Sequence, residues 1–281
     1  MSLGGAAALI CEGVSFAYPG REDVPALQDI DLEIRQGEFV ALSGLNGSGK
    51  STLCRLLNAL FLPTRGRVIA CGMDTALPGD LSRIRNLVGL IMQNPDNQIV
   101  GPTVEDDVAF GLENLGLPRE EIRSRVEEAL RMMELSPLRG REPHLLSLGE
   151  RKRLAVAGVL AMRPRVLISD ESTSMLDPPT RSETIALYRR LRDEMGITVI
   201  HVTHRPEEIM VADRVVLLGG GRLAFAGTPD ELFRHGETSG EHGLLPPAIY
   251  LLVRELELRG RPLGDVPWEP EEVAELLWAS R

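Results

Sequence analysis

Two kinds of apolar pattern alternate along the chain. Residues 27–35 place apolar side chains at 30, 32 and 34 between polar ones, the period-2 signal of a strand with one wet face. Residues 8–16 alternate enough to predict another strand. Phe39–Leu42 is a short continuous apolar run and 166–169 a buried strand, while 67–71, 87–92 and 197–202 read as further strands. Further strands are expected near 214–218 and 222–226. Helical periodicity falls between them, at 52–61 up to the stop at Pro63, over the charged stretch 104–140, at 147–161 and at about 180–195. Thr228 and Pro229 open one more helix. Residues 236–247 read as a linker, and two amphipathic helices, about 247–259 and 269–279, follow. The expected architecture is α/β: a parallel core, an N-terminal antiparallel β layer, a helical insertion at about 95–160, and a C-terminal extension. The division is 1–235 for the main domain and 236–281 for linker and extension.

Composition narrows the classes. The chain has 281 residues, 43% of them hydrophobic, with 31 basic against 41 acidic residues and a net charge of −10. No apolar run approaches the roughly 18–20 residues of a membrane span. MSLGGAAALICEG is not a signal peptide, and Cys11, Cys54 and Cys71 fit reduced thiols in the cytosol. The acidic balance argues against nucleic acid as a partner and against a polybasic membrane foot. Of the 31 basic residues only Lys50 and Lys152 are lysines, so a surviving lysine marks a position where its chemistry matters.

Lys50 lies in Gly44-Leu45-Asn46-Gly47-Ser48-Gly49-Lys50-Ser51, which satisfies G-x-x-x-x-G-K-[ST] between a buried strand and a helix that continues through Thr52. Glycines let backbone N–H groups close around phosphate oxygens, and the helix N-terminus adds its positive dipole end. Lys50 supplies a compact cation and Ser51 a hydroxyl for Mg²⁺. No N-K-x-D follows, which favours adenine over guanine. Tyr18 stands either as a stacking platform for that base or as an ordinary packed tyrosine.

The strand at 166–169 ends on Asp170 and Glu171, at the edge of a parallel sheet where ligands sit. Asp170 suits an Mg²⁺ ligand, and Glu171 the residue that orients the attacking water. His204 lies just past the strand at 197–203 and is better placed to reach the γ-phosphate than His201. Gln93 opens Gln-Asn-Pro-Asp-Asn-Gln, either an amide for metal and water or part of a turn.

Taken in order, these motifs resemble the nucleotide-binding subunit of ABC transporters over about residues 8–230, an α/β P-loop NTPase. Leu146-Ser147-Leu148-Gly149-Glu150 corresponds to the signature and Ser174-Met175-Leu176-Asp177 to the D-loop. The resemblance implies that Gln93 is the Q-loop glutamine and a metal ligand, Asp177 the D-loop aspartate and His204 the switch histidine. Residues 92–118 and 170–178 are similar to the ATPases of energy-coupling factor transporters, which import cobalt, nickel or vitamins. That likeness implies MgATP, a second ATPase subunit identical or different, a transmembrane coupling protein, a membrane protein that binds the substrate, and a place on the cytoplasmic face of the membrane. A soluble ABC ATPase outside transport, or a small-molecule kinase, would share the phosphate loop. The groove beside Asn94–Thr103 is expected to receive a coupling helix, with Asp96, Glu105, Asp106 and Asp107 facing arginine on the partner or serving a helix N-terminus.

Three positions depart from the family pattern. Leu148 replaces a glycine and Glu150 a glutamine in the signature, which serves the partner's nucleotide. Ser147 and Glu150 also satisfy the capping box S-x-x-E. Ser172 stands where proline is usual, with an expected effect of some loop freedom.

Overall fold

The computed structural model describes residues 6–174, 176–234, 236–260, 273–275 and 278, and for 236–238 the backbone alone. Its strands are β1 (Ala7–Phe16), β2 (Leu27–Arg35), β3 (Phe39–Ser43), β4 (Arg65–Ala70), β5 (Met73–Asp74), β6 (Val88–Ile91), β7 (Val166–Asp170), β8 (Thr198–Val202), β9 (Arg214–Gly219) and β10 (Arg222–Gly227). One sheet is antiparallel in the order β2-β1-β4-β5. The other runs β10-β9-β3-β8-β7-β6, all parallel except β10.

Alternate residues of the parallel strands enter two different cores. Phe39, Ala41, Leu167 and Val199 face one. Val40, Leu42, Ile168 and Ile200 face the other. Both faces are covered, which is why these strands read as unbroken apolar runs. The second core also takes the antiparallel sheet, α1 (Lys50–Leu57) and α2 (Leu81–Leu87). The first takes α3 (Val104–Asn114), α4 (Arg119–Met132), α5 (Leu148–Ala161) and α6 (Pro178–Met195). Ile209 of α7 (Pro206–Met210) and Phe233 of α8 (Pro229–Arg234) join it. After α9 (Gly236–Glu241), Tyr250 of α10 (Ala248–Leu258) joins it too.

Register aligns the strand ends. Val202 pairs with both Leu42 and Asp170, and Ile91 pairs with Ser169. The segments after β3, β6, β7 and β8 therefore leave the sheet at one level, at the carboxyl end where ligands bind in open α/β sheets.

Several expected boundaries move. The helix expected over 52–61 starts at Lys50 and ends at Leu57, six residues before Pro63, because Ala59 turns left-handed at φ 57° and Asn58 Nδ2 donates to the Val88 carbonyl. Leu87 closes the short helix α2 and is not part of the strand. The stretch read as a linker opens with α9, not with irregular chain. The helix expected at about 269–279 lies mostly outside the described residues, of which 273–275 and 278 are helical. Val273 there is buried and Trp278 exposed.

Candidate functional site

Between Ser43, which ends β3, and Lys50, which begins α1, six residues reverse the chain tightly. Gly44 has φ 141° and Gly49 φ 103°. A Cβ on Gly44 would stand 2.2 Å from the Leu218 carbonyl oxygen, and one on Gly49 would stand 2.6 Å from Leu27 Cδ2. Only glycine fits at either end of the loop. Asn46 and Gly47 form its outer edge, and Ser48 N–H donates to the Leu45 carbonyl at 3.1 Å. The buried Lys50 Nζ donates to the carbonyls of Gly44 (2.7 Å) and Leu45 (3.1 Å). Burial pushes its ammonium pKa down, partly opposed by the charges of Glu171 and Asp170. Two of its three N–H groups hold the loop, and one remains for an anion.

The loop forms one wall of a pocket of about 530 Å³ lined by Tyr18, Asn46, Lys50, Ser51, Gln93 and Glu171, among others. Tyr18 is held from two sides. Its hydroxyl bonds Thr52 Oγ1 at 2.9 Å. Its ring meets Phe16 and Phe61 edge-on, with centroids 5.1 and 5.8 Å away. The tyrosine is thus both packed and pocket-lining.

At the far wall, Ser51 Oγ donates to Asp170 Oδ1 at 3.2 Å, and Gln93 Nε2 donates to Glu171 Oε2 at 2.8 Å. Burial pushes the Asp170 carboxyl up, and the Ser51 bond partly offsets this. Glu171 adopts φ 49°, a left-handed conformation rare for a residue with a side chain. The site fits Mg²⁺ by its chemistry: a hydroxyl and a half-buried carboxylate are hard oxygen donors.

The structure does not bring every expected residue into this pocket. His204 is exposed, two residues past β8, and outside the pocket lining. Asp177 caps α6, accepting from Thr180 N–H at 3.2 Å. Ser147 caps α5 in a complete capping box: its Oγ accepts from Glu150 N–H, and Glu150 Oε2 accepts from Ser147 N–H at 2.7 Å. That backbone donor holds the Glu150 carboxyl below its ordinary range. Leu148 and Gly149 are half-exposed in the same turn.

A second groove, of about 520 Å³, opens where one was expected, lined by Asp96, Ile99, Pro102, Thr103, His144 and Arg151, among others. Three of the acidic residues take the helix N-terminus reading: Glu105, Asp106 and Asp107 stand in the first turn of α3, which Thr103 caps. Asp96 lines the groove and pairs with Arg151 at 3.1 Å. Glu105 pairs with Arg139, and Asp106 is tied to Thr103. Asp107 accepts from Val100 N–H (2.7 Å) and Gly101 N–H (2.8 Å). Three of the four thus brace their own helix and loop.

Ser172 also departs from expectation. It is buried and bonded through Oγ to Ser169 (2.6 Å) and Tyr188 (2.9 Å), so it adds anchorage, not freedom. Sequence reasoning missed Gln98, whose amide joins Met92 N–H (3.0 Å) to the Ala155 carbonyl (3.2 Å) and so fixes the Gln93 loop on α5. Its one signal was a second glutamine in the same hexapeptide.

A phosphate loop at the centre of a parallel sheet, an acidic strand end beside it and a helical insertion above define an ATP-binding cassette. The family model described as ABC transporter matches residues 27–174. The energy-coupling factor transporter ATP-binding protein EcfA1 of Symbiobacterium thermophilum is 50% identical over 277 residues, covering 96% of each chain. The structure of cbiO1 from Clostridium perfringens, part of the ABC transporter complex cbiONQ, superposes with TM-score 0.75 at 35% identity, over 90% of this chain and 95% of that one. The ATP-binding cassette MJ0796, in a dimeric post-hydrolysis state bound to ADP and Pi, gives TM-score 0.72 at 30% identity over 79% and 98%. The chain belongs to the ABC transporter ATP-binding family, among the energy-coupling factor transporter ATPases. It is an ATPase.

Proposed function

We propose that this ATPase works as a dimer on the cytoplasmic face of the membrane, where it powers import of a small micronutrient, a transition metal ion or a vitamin. Each nucleotide lies between the phosphate loop of one subunit and the Ser147–Glu150 turn of the other. Support for the dimer comes from the MJ0796 cassette, and support for the transport role from the relatives' names.

In this reading Tyr18 carries the adenine, while Gly44, Asn46, Gly47, Ser48, Gly49 and Thr52 shape the phosphate cradle. Lys50 takes the β/γ-phosphates. Ser51, Asp170 and Gln93 would hold Mg²⁺, which when bound neutralises charge on the phosphate oxygens. Glu171 orients and polarises the attacking water, and the Gln93 amide keeps its carboxylate aimed into the pocket. His204 contacts the γ-phosphate once the subunits close, and Asp177 lies at the seam. ATP binds the closed state better than the open one, and that differential affinity drives closure. The groove at Asp96–Arg151 receives a helix of the transmembrane coupling protein.

The observation that carries the reading is the convergence of Lys50, Ser51, Gln93 and Glu171 on one pocket. The test is light scattering of Glu171→Gln with and without MgATP. A monomer that becomes a dimer only with MgATP, while hydrolysing at least tenfold more slowly, is the expected result. Lys50→Ala should lose MgATP binding and the dimer with it. Wild-type turnover in Glu171→Gln would sink the assignment of the water-orienting residue. ATP binding without dimerisation would point to a second, different ATPase subunit as the obligatory partner.

A further inference from the structure

Lys152 is the second of the chain's two lysines, and the pocket does not use it. It lies on α5, five residues beyond Ser147, buried, with its Nζ donating to the Ser172 carbonyl. Burial pushes its ammonium pKa down. A charge held this deep by a backbone carbonyl is costly wherever that carbonyl moves away.

Ser172 opens a longer path. Tyr188 Oη bonds Ser172 Oγ (2.9 Å), Ser172 Oγ bonds Ser169 Oγ (2.6 Å), and Ser169 Oγ bonds His201 Nδ1 (3.2 Å). His201 Nε2–H then donates to Glu208 Oε2 at 2.8 Å. Thr173 Oγ1, at 3.1 Å, and Thr203 Oγ1 donate to the same carboxylate oxygen. None of these side chains, Lys152 included, is more than 6% exposed. Along the sequence, Ser172 and Thr173 follow Glu171 directly, and Thr203 immediately precedes His204.

We propose that this buried path is a positioning device for hydrolysis: Lys152 and Glu208 hold the Glu171 and His204 loops in one register with the helix that begins at Ser147. It rests on the roles given above to Glu171, His204 and the Ser147 turn. A connected polar network in a low dielectric resists partial rupture, so its members shift together. When the Ser147 turn engages the partner's nucleotide, α5 carries Lys152, and through Ser172 both loops, into the hydrolytic arrangement. A subunit's own turnover is thereby tied to occupancy of the site it completes for its partner. Lys152 and Glu208 are positioning residues and touch no reacting atom.

The test is a double-mutant cycle on the full chain in its dimer, with kcat and MgATP affinity read separately. Ser172→Ala and Glu208→Gln should each lower kcat at least fivefold with Kd within twofold of wild type. The double variant should fall no more than twofold below the slower single one, because one broken path cannot be broken twice. Lys152→Met should behave like Ser172→Ala, and Lys152→Gln, which keeps a donor, should recover to within threefold of wild type. Should Glu208→Gln fail to fold, Thr203→Val replaces it, removing the bond that carries the His204 loop. Wild-type kcat in Ser172→Ala, losses that multiply in the double variant, or Kd weakening in parallel with kcat would each overturn the proposal. Glu171→Gln separates the two failures: fast turnover there overturns the site reading and this proposal with it. Slow turnover there beside an unchanged Ser172→Ala overturns this proposal alone.

Discussion

Glu171 and Glu208 show how differently two carboxylates of one site are held. Glu171 sits at φ 49°, which costs a non-glycine residue about 1 kcal/mol, and its side chain accepts from the Gln93 amide. Its carboxylate faces the pocket, where a water or phosphate oxygen would meet it. Glu208 is buried: its Oε2 accepts from His201, Thr203 and Thr173, and its Oε1 faces Arg181 Nε at 3.7 Å. Burial alone would raise its pKa, but the hydrogen bonds from His201, Thr203 and Thr173 and the charge interaction with His201 outweigh it and lower the value below its ordinary 4.5. The sign follows from linkage. A lowered folded-state pKa means that the unfolded chain binds more protons in this range, so stability is present above pH 4.5 and is lost as pH falls through the folded value. Urea unfolding between pH 3 and pH 5 should therefore show a steeper loss in wild type than in Glu208→Gln. Equal slopes would mean that the buried carboxylate contributes nothing to acid sensitivity.

Helix starts carry much of the local chemistry. The sequences S-L-G-E at 147–150 and T-P-D-E at 228–231 both form complete capping boxes, at α5 and α8. Ser147→Ala removes one arm and should cost about 1 kcal/mol, read as a lower urea midpoint with an unchanged m-value. Glu150 serves the other arm, so Glu150→Gln, which keeps an acceptor in place, should leave stability within about 0.5 kcal/mol. MgATP-driven dimerisation should likewise be unchanged in Glu150→Gln. A tighter dimer in that variant would mean that the carboxylate opposes the partner's phosphates in spite of its cap.

Two of the openings among the described residues are given separate duties by the proposed function. The nucleotide pocket lies at the carboxyl edge of the parallel sheet. The other opening lies between the loop after β6 and the start of α5, where Asp96 and Arg151 meet. Gln98 links the two regions, since its amide holds the Gln93 loop against α5. Pro102→Trp, filling the second groove from its exposed rim, should weaken assembly with the membrane partner while MgATP affinity stays within twofold. Co-purification from detergent extracts is the measurement, and unchanged assembly would remove the groove from the interface. Charge reversal of Asp107 is a poor probe of the same surface, because Asp107 holds the backbone at Val100 and Gly101.

Much of this was legible in the chain itself. The phosphate loop, the acidic strand end and the apolar strands are local: spacing, glycine and side-chain type dictate them within a dozen residues. The capping box at Ser147 is local too, and it formed. Other features depended on partners far along the chain. Asn58 ends α1 early by reaching Val88, thirty residues on. Asp106 and Asp107 look alike in sequence, yet one closes on Thr103 and the other on the loop before it. His201, Ser172 and Lys152 read as a strand histidine, a substitution and a lysine with no assigned partner, until strand pairing and helix packing bring them into one buried path. Periodicity says that a residue points inward but not what it meets there, and the energy of a buried polar group depends on what it meets.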